Sequence, residues 1–287
     1  MARLISLVED GHPALREVMA ALSPDAGHAH VVGLTGSPGV GKSTATSALV
    51  TAYRSLGRRV GVLAVDPSSP FSGGALLGDR IRMSEHTSDP EVFIRSMASR
   101  GHLGGLSRAA PQALRVLDAA GCDVVLLETV GVGQSEVEVA GTADTTVVVL
   151  APGMGDGIQA AKAGILEVAD VLVVNKADRD GAARTASDLR SMVSMADGSG
   201  PQRWTPPVVS TIAHTAEGIG DLVRAIGEHR DWLGDAGLLE RRTRRAGREV
   251  EALALASLQS EMTGRLGDGT LDGLAAAVAA GRTDPYS

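Results

Sequence analysis

Nine residues constrain this chain more than any other stretch: Gly36-Ser37-Pro38-Gly39-Val40-Gly41-Lys42-Ser43-Thr44. An apolar run, His30 to Thr35, precedes them and reads as a buried strand. The helically spaced Ala48, Leu49, Ala52 and Leu56 follow them. Strand, G-x-x-x-x-G-K-S and helix, in that order, form the setting of a phosphate-binding P-loop. Glycines let the backbone turn tightly, so successive N–H groups face phosphate oxygens while the helix N-terminus adds partial positive charge. Gly36, Ser37, Pro38, Gly39, Val40, Gly41, Lys42, Ser43 and Thr44 are therefore the expected phosphate contacts. Lys42 can reach the β- and γ-phosphates, and the Ser43 hydroxyl can ligate Mg2+.

From His30 onward, strand-like and helix-like segments alternate. Strands are expected at Val60–Asp66, Val92–Arg95, Asp123–Glu128, Thr145–Leu150, Val171–Asn175 and Val208–Ser210. Helices are expected at Leu106–Ala120, Ile158–Val168, Ala182–Met195 and Gly218–Trp232. Such alternation implies an α/β fold, a P-loop NTPase with a mostly parallel central sheet flanked by helices. Two short helices are expected before it, with Pro13 opening the second and the pair packing on the nucleotide domain. After Trp232, Gly234 and Gly237 break the chain, Leu239–Leu266 reads as a long helix, and Leu271–Ala280 as a last short one. The expected organisation is a helical arm over 1–28, a nucleotide domain over 29–233 and a longer helical extension over 234–287. Val250, Leu253, Leu258, Met262 and Leu266 form an apolar stripe on that extension, which could pack on the domain or on another copy of the chain.

Composition narrows the partners. Aromatic residues are only 2% of the 287, so the core must rest on Val, Leu, Ile and Ala, as parallel sheets commonly do. A net charge of −7 gives no global field for nucleic acid or an anionic membrane. The Arg241, Arg242, Arg244, Arg245, Arg248 cluster is interrupted by Glu240, Glu249 and Glu251 and reads as a solvated helix face. One cysteine, Cys122, excludes internal disulfides and Cys-based zinc sites, which suggests a reducing compartment. With no apolar run near membrane-spanning length and no signal-peptide pattern, a cytoplasmic location is expected.

A second motif, Asn175-Lys176-Ala177-Asp178, closes a strand where the base of a P-loop ligand would lie. Its carboxylate can accept hydrogen bonds from N1–H and the 2-amino group of guanine. Adenine offers neither, leaving Asp178 desolvated and unpaired at a cost of about 1–3 kcal/mol. Asn175 can brace the loops and the Lys176 stem can lie over the base. The expected ligand is GTP or GDP.

Two acids end buried strands: Asp66, before Pro67-Ser68-Ser69, and Glu128, before Thr129-Val130-Gly131. Both should emerge at the carboxyl edge of the sheet, where a P-loop enzyme keeps the acid supporting Mg2+. Gly131 fits the position where a backbone N–H senses the γ-phosphate. Ser72 to Arg82, with Asp79 and two arginines, reads as a switch loop. Many GTPases place a water-orienting Gln directly after the glycine corresponding to Gly131, but this chain has Val132. Slow intrinsic hydrolysis is therefore expected.

Taken together these stretches resemble a known group. Gly78-Asp79-Arg80-Ile81-Arg82-Met83, Glu128-Thr129-Val130-Gly131-Val132-Gly133-Gln134-Ser135-Glu136, Pro152-Gly153-Met154-Gly155-Asp156 and Lys162-Ala163-Gly164-Ile165 join the motifs above. The chain is similar to the MeaB/ArgK branch of the SIMIBI-class P-loop GTPases, relatives of the methylmalonic aciduria type A protein. The resemblance implies a homodimeric GTPase chaperone of methylmalonyl-CoA mutase, or of a related adenosylcobalamin-dependent acyl-CoA mutase, that gates cofactor loading and protects or reactivates the enzyme. The cobalamin adenosyltransferase is a further candidate partner. By matching positions, Ser43, Asp66, Asp79 and Glu128 would surround Mg2+. Lys42, Asp66, Glu128, Gly131 and Lys162 would serve the reaction, Lys162 through nucleotide-dependent contacts in a switch loop from Pro152 to Lys162. Where a guanine-contacting Ser-Ala is expected, this chain has Ile212-Ala213, so only the Ala213 N–H carries over. The 35 residues before the P-loop make a shorter arm than the family's.

Two other classes fit the residues less well. A metallochaperone GTPase would need clustered imidazole or thiolate ligands, whereas the seven histidines are scattered. An ATPase or kinase of arginine/ornithine transport, an older label for this branch, conflicts with the guanine-reading motif.

Overall fold

Seven apolar runs pair into one parallel sheet: β1 (His30–Thr35), β2 (Val60–Asp66), β3 (Val92–Ala98), β4 (Val124–Thr129), β5 (Thr145–Leu150), β6 (Val171–Asn175) and β7 (Val208–Thr211). Their spatial order is β3-β2-β4-β1-β5-β6-β7. The computed structural model describes residues 1–66, 83–98, 109–129, 135–153, 167–196, 203–266 and 270–285. These fall into two compact units, Met1–Leu238 and Leu239–Ser287.

Strands β1, β2, β4, β5 and β6 are buried along their whole length, as expected when helices cover both faces of a sheet. Alternate residues then divide between two cores. Val32, Leu34, Val62, Leu126 and Val173 face α3 (Lys42–Ser55) and the first turns of a later helix through Leu49, Ile219, Leu222 and Ile226. Val31, Leu63, Val125 and Leu127 face the other way, onto α1 (Ala2–Glu9), α4 (Ala110–Ala119) and α5 (Ser135–Thr142). A third cluster sets β5 and β6 against α6 (Ala182–Ala196) through Val148, Leu172, Ala186 and Leu189. Gly33 permits close approach of α5, since a Cβ there would clash with Val139.

The N-terminal arm packs on this domain. α1 buries Ile5 and Val8, and Glu9 and Ser6 hold Arg95 of β3. α2 (Leu15–Leu22) begins two residues beyond Pro13, and His12 Nδ1 accepts the Ala14 N–H at 3.2 Å. Pro13 therefore precedes the helix and does not open it. β3 runs three residues beyond the expected Arg95, because its pairing with β2 continues to Asp66 beside Ala98.

The break expected after Trp232 is present, at one of its two glycines. The span Ile219–Leu266, α7, is two helices that meet at a kink at Gly234, whose φ 57 and ψ −174 are non-helical. Gly237 stays helical: an interior glycine costs a helix only about 1 kcal/mol, which a long helix absorbs. Within the second unit, α7 leaves Val250, Leu253, Leu258 and Met262 between 49% and 66% exposed, and α8 (Thr270–Ala279) follows. Arg244 pairs with Glu240 at 2.7 Å, as on a solvated face.

A buried polar chain ties the amino ends of the strands together. His30 Nε2 lies 2.9 Å from Thr145 Oγ1, Thr145 Oγ1 lies 2.8 Å from His229 Nδ1, and His229 Nε2 reaches Asp170 at 3.1 Å. Trp232 stacks on His229 at 5.9 Å between ring centroids.

Candidate nucleotide site

The loop between β1 and α3 turns on glycines. Gly36 has φ 139 and Gly41 φ 96, backbone that side chains rarely adopt. A Cβ on Gly36 would collide with the Val149 carbonyl, and one on Gly41 would stand 2.5 Å from Asn175 Nδ2. α3 starts at Lys42, so its free N–H groups point into the loop. Lys42, 8% exposed, folds its Nζ back onto the carbonyls of Gly36 at 2.7 Å and Ser37 at 3.1 Å. The ammonium thus hangs over the cradle in which phosphates would sit.

Behind the cradle stands a carboxylate. The Ser43 hydroxyl donates to Glu128 Oε1 at 2.6 Å, and Thr46 Oγ1 donates to Oε2 at 2.9 Å. Thr46 is not part of the P-loop motif, but it stands three residues after Ser43 on the same helix face. Register explains why these groups meet: Glu128 pairs with Leu34 of β1 and Ala64 of β2, so it emerges next to the P-loop strand. Asp66, 7% exposed, ends the adjacent β2. The donor set is all hard oxygen, and no cluster of three or more His, Cys, Asp or Glu suited to a metal occurs among the described residues. That set fits Mg2+, which keeps waters and phosphate oxygens in its coordination sphere, better than a metal wanting imidazole or thiolate.

The base side is fastened to the phosphate side. Asn175 ends β6 and donates Nδ2 to the Val40 carbonyl at 2.9 Å. Its Oδ1 accepts from Thr211 Oγ1 and from the Ala213 N–H, both at 3.1 Å. One amide therefore ties the P-loop to the end of β7 and the turn after it. The Ala213 N–H, expected to face guanine, is directed onto Asn175 in this structure. Lys176, at φ 57, stretches across the loop to the Gly39 carbonyl at 2.6 Å. Asp178 stands exposed in the turn beyond it. Asp79, Gly131 and Lys162 lie outside the described residues, as do Val132 and most of the Pro152–Lys162 stretch.

Comparison with known proteins agrees with this geometry. A family of methylmalonyl-CoA mutase-associated GTPases, MeaB, matches residues 1–266. A Pyrococcus abyssi protein that carries a GTPase name is 46% identical over 288 residues, spanning 100% of this chain and 89% of that one. The Escherichia coli GTPase ArgK is 39% identical over 84% of this chain and 74% of its own. The Caenorhabditis elegans methylmalonic aciduria type A homolog is 38% identical over 74% of this chain and 54% of its own. Among solved structures, one described as a LAO/AO transport system kinase superposes with a TM-score of 0.73 at 29% identity, covering 99% of this chain and 88% of that chain. The Archaeoglobus fulgidus hydrogenase maturation factor HypB shares the fold, with a TM-score of 0.52 at 17% identity over 80% of this chain and all of that one. Its P-loop, strand-end acids and Asn175-Lys176-Ala177-Asp178 motif all falling within the matched span, the chain belongs to the MeaB family of methylmalonyl-CoA mutase-associated GTPases.

Proposed function

We propose that this chain is a Mg2+-dependent GTPase that acts as a chaperone of methylmalonyl-CoA mutase or a related adenosylcobalamin-dependent acyl-CoA mutase. The observation that carries the nucleotide part is the Asn175 clamp, which joins the phosphate loop at Val40 to the base-reading loops at Thr211 and Ala213. With both ends of the ligand site in one rigid frame, Asp178 can test the base while Lys42 holds the phosphates. Bound Mg2+ would supply positive charge to the β- and γ-phosphates. Ser43 would present its hydroxyl to that ion, with Glu128, and Asp66 beside it, holding the hydroxyl in place. Lys42 would exchange its two carbonyl partners for phosphate oxygens without leaving the cradle. Asp79, Gly131 and Lys162 keep the roles that the family resemblance implies for them.

Val132 brings no water-orienting amide to the position after Gly131, so the isolated protein should turn over slowly. The client assignment rests on the family match. It is tested by GTP hydrolysis by the purified protein with and without the host's mutase. Acceleration by the mutase is expected, and an unchanged rate across a saturating titration would exclude that client.

The apolar stripe of the second unit supports a homodimer, because four large side chains there are half or more exposed or nearly so. Size-exclusion chromatography with light scattering should give twice the chain mass, shifting to one chain mass in Leu253→Glu/Leu258→Glu. A monomeric wild type would remove this element of the proposal. The chain's lone cysteine accords with a cytoplasmic location, and no helix among the described residues is long and apolar enough to cross a membrane.

A further inference from the structure

At the amino ends of the strands, opposite the nucleotide edge, lies a cleft of about 400 Å³. It opens between the end of α3 and the early turns of α7, with Val124, Val223 and Ile226 as its apolar lining. Two of its carboxylates are already engaged. Asp118 accepts the N–H groups of Gly27, His28 and Ala29, and Asp123 accepts the Arg59 N–H and pairs with Arg58 at 3.6 Å. Tyr53 presents a different case. Its side chain is 7% exposed and lines the cleft, and its hydroxyl has no hydrogen-bond partner among the described residues. Burial pushes the phenol up from its ordinary pKa, against the opposing pull of Arg230, so it remains a neutral donor beside a guanidinium. Gly227 completes the opening: it sits inside α7, has no positive φ, and a Cβ there would meet no atom within 4 Å. Packing does not require glycine at that point, and its absent side chain leaves the mouth clear.

We propose that this cleft is a second ligand site, for a small aliphatic carboxylate. The Tyr53 hydroxyl and the Arg230 guanidinium meet the carboxylate, and Val124, Val223 and Ile226 receive the hydrocarbon body. A ligand carboxylate gives the Tyr53 hydroxyl an acceptor inside the cleft. A cation of equal length meets Arg230 and is disfavoured; because Asp25 and Asp231 also line the cleft, it is the control that tests the assignment.

The probes are hexanoate, hexylammonium and hexanol, titrated calorimetrically into the full chain. Alkylation of Cys122, the chain's one cysteine and part of the cleft lining, gives a second readout. Saturable hexanoate binding is expected, at least tenfold tighter than hexylammonium or hexanol, with Cys122 protected by hexanoate alone. Tyr53→Phe should weaken hexanoate at least tenfold, and Gly227→Leu, which fills the mouth, should abolish it. Both variants should melt at or above the wild-type temperature, since neither removes a contact and the second removes a helix glycine. The proposal is overturned by absence of saturable hexanoate binding, by equal or tighter binding of hexylammonium, or by hexanoate affinity that survives Gly227→Leu in a folded protein.

Discussion

The Ser43 hydroxyl donates to Glu128 at 2.6 Å, joining the first turn of the P-loop helix to the end of the neighbouring strand. The contact places a magnesium-type hydroxyl ligand and a strand-end acid, 85 residues apart in sequence, in one buried pair. Thr46 donates to the other carboxylate oxygen, so the acid is held at both ends.

Glu128→Gln keeps the shape of this group but replaces an acceptor oxygen with a donor amide facing a hydroxyl. The expected result is retained folding, with the Mg2+ dependence of GTP hydrolysis shifted to higher metal and activity down about 10–100-fold. A Mg2+ titration of the variant checks it. An unshifted Mg2+ optimum would mean that Glu128 acts on the fold alone.

Asn175→Ala should separate the two halves of the site. It leaves the Val40 carbonyl and the Ala213 N–H without their buried partner, a loss of about 1–3 kcal/mol in stability by urea denaturation. GDP affinity should fall with it. Gly41→Ala is the complementary change: its Cβ would press on Asn175 Nδ2 from the P-loop side and should reproduce the affinity loss. Full GDP affinity in both variants would show that the clamp is not needed to hold nucleotide.

Cys122 gives a pH signature. Burial pushes its thiol up to about 11 from 9.0, despite the opposing effect of Arg59. A folded-state value above the unfolded one means full stability below about pH 9 and a decline as pH rises toward 11. Thermal melts from pH 8 to 11 should therefore fall for wild type, and fall less for Cys122→Ala. Iodoacetamide should label the folded protein slowly at pH 8, where little thiolate exists. Equal slopes in the two proteins would contradict this placement of the thiol.

Much of this was legible in the chain itself. The strand before Gly36, the helix from Lys42, and the acids at Asp66 and Glu128 follow from apolar runs that end in chemistry-bearing residues. What sequence could not supply is partnership across distance. Nothing local marks Thr46 as the second donor to Glu128, or Thr211 as a support for Asn175, because each pairing depends on strand order. The His30–Thr145–His229 chain is hidden for the same reason, since its members come from three elements that only the sheet brings together. Gly234 and Gly237 show a limit of another kind: two nearby glycines, of which only Gly234 takes positive φ and breaks the helix. Local composition cannot distinguish a glycine that turns the chain from one that merely tolerates a helix.

The central claim is guanine selection by Asp178, and nucleotide hydrolysis by wild type and Asp178→Asn tests it most directly. Wild type should prefer GTP over ATP by about 10²-fold or more in kcat/KM. Asp178→Asn should lose GTP while gaining XTP, because xanthine carries a carbonyl where guanine carries its 2-amino group and matches a donor amide. Equal use of ATP and GTP by the wild type, or undiminished GTP preference in the variant, would contradict the account.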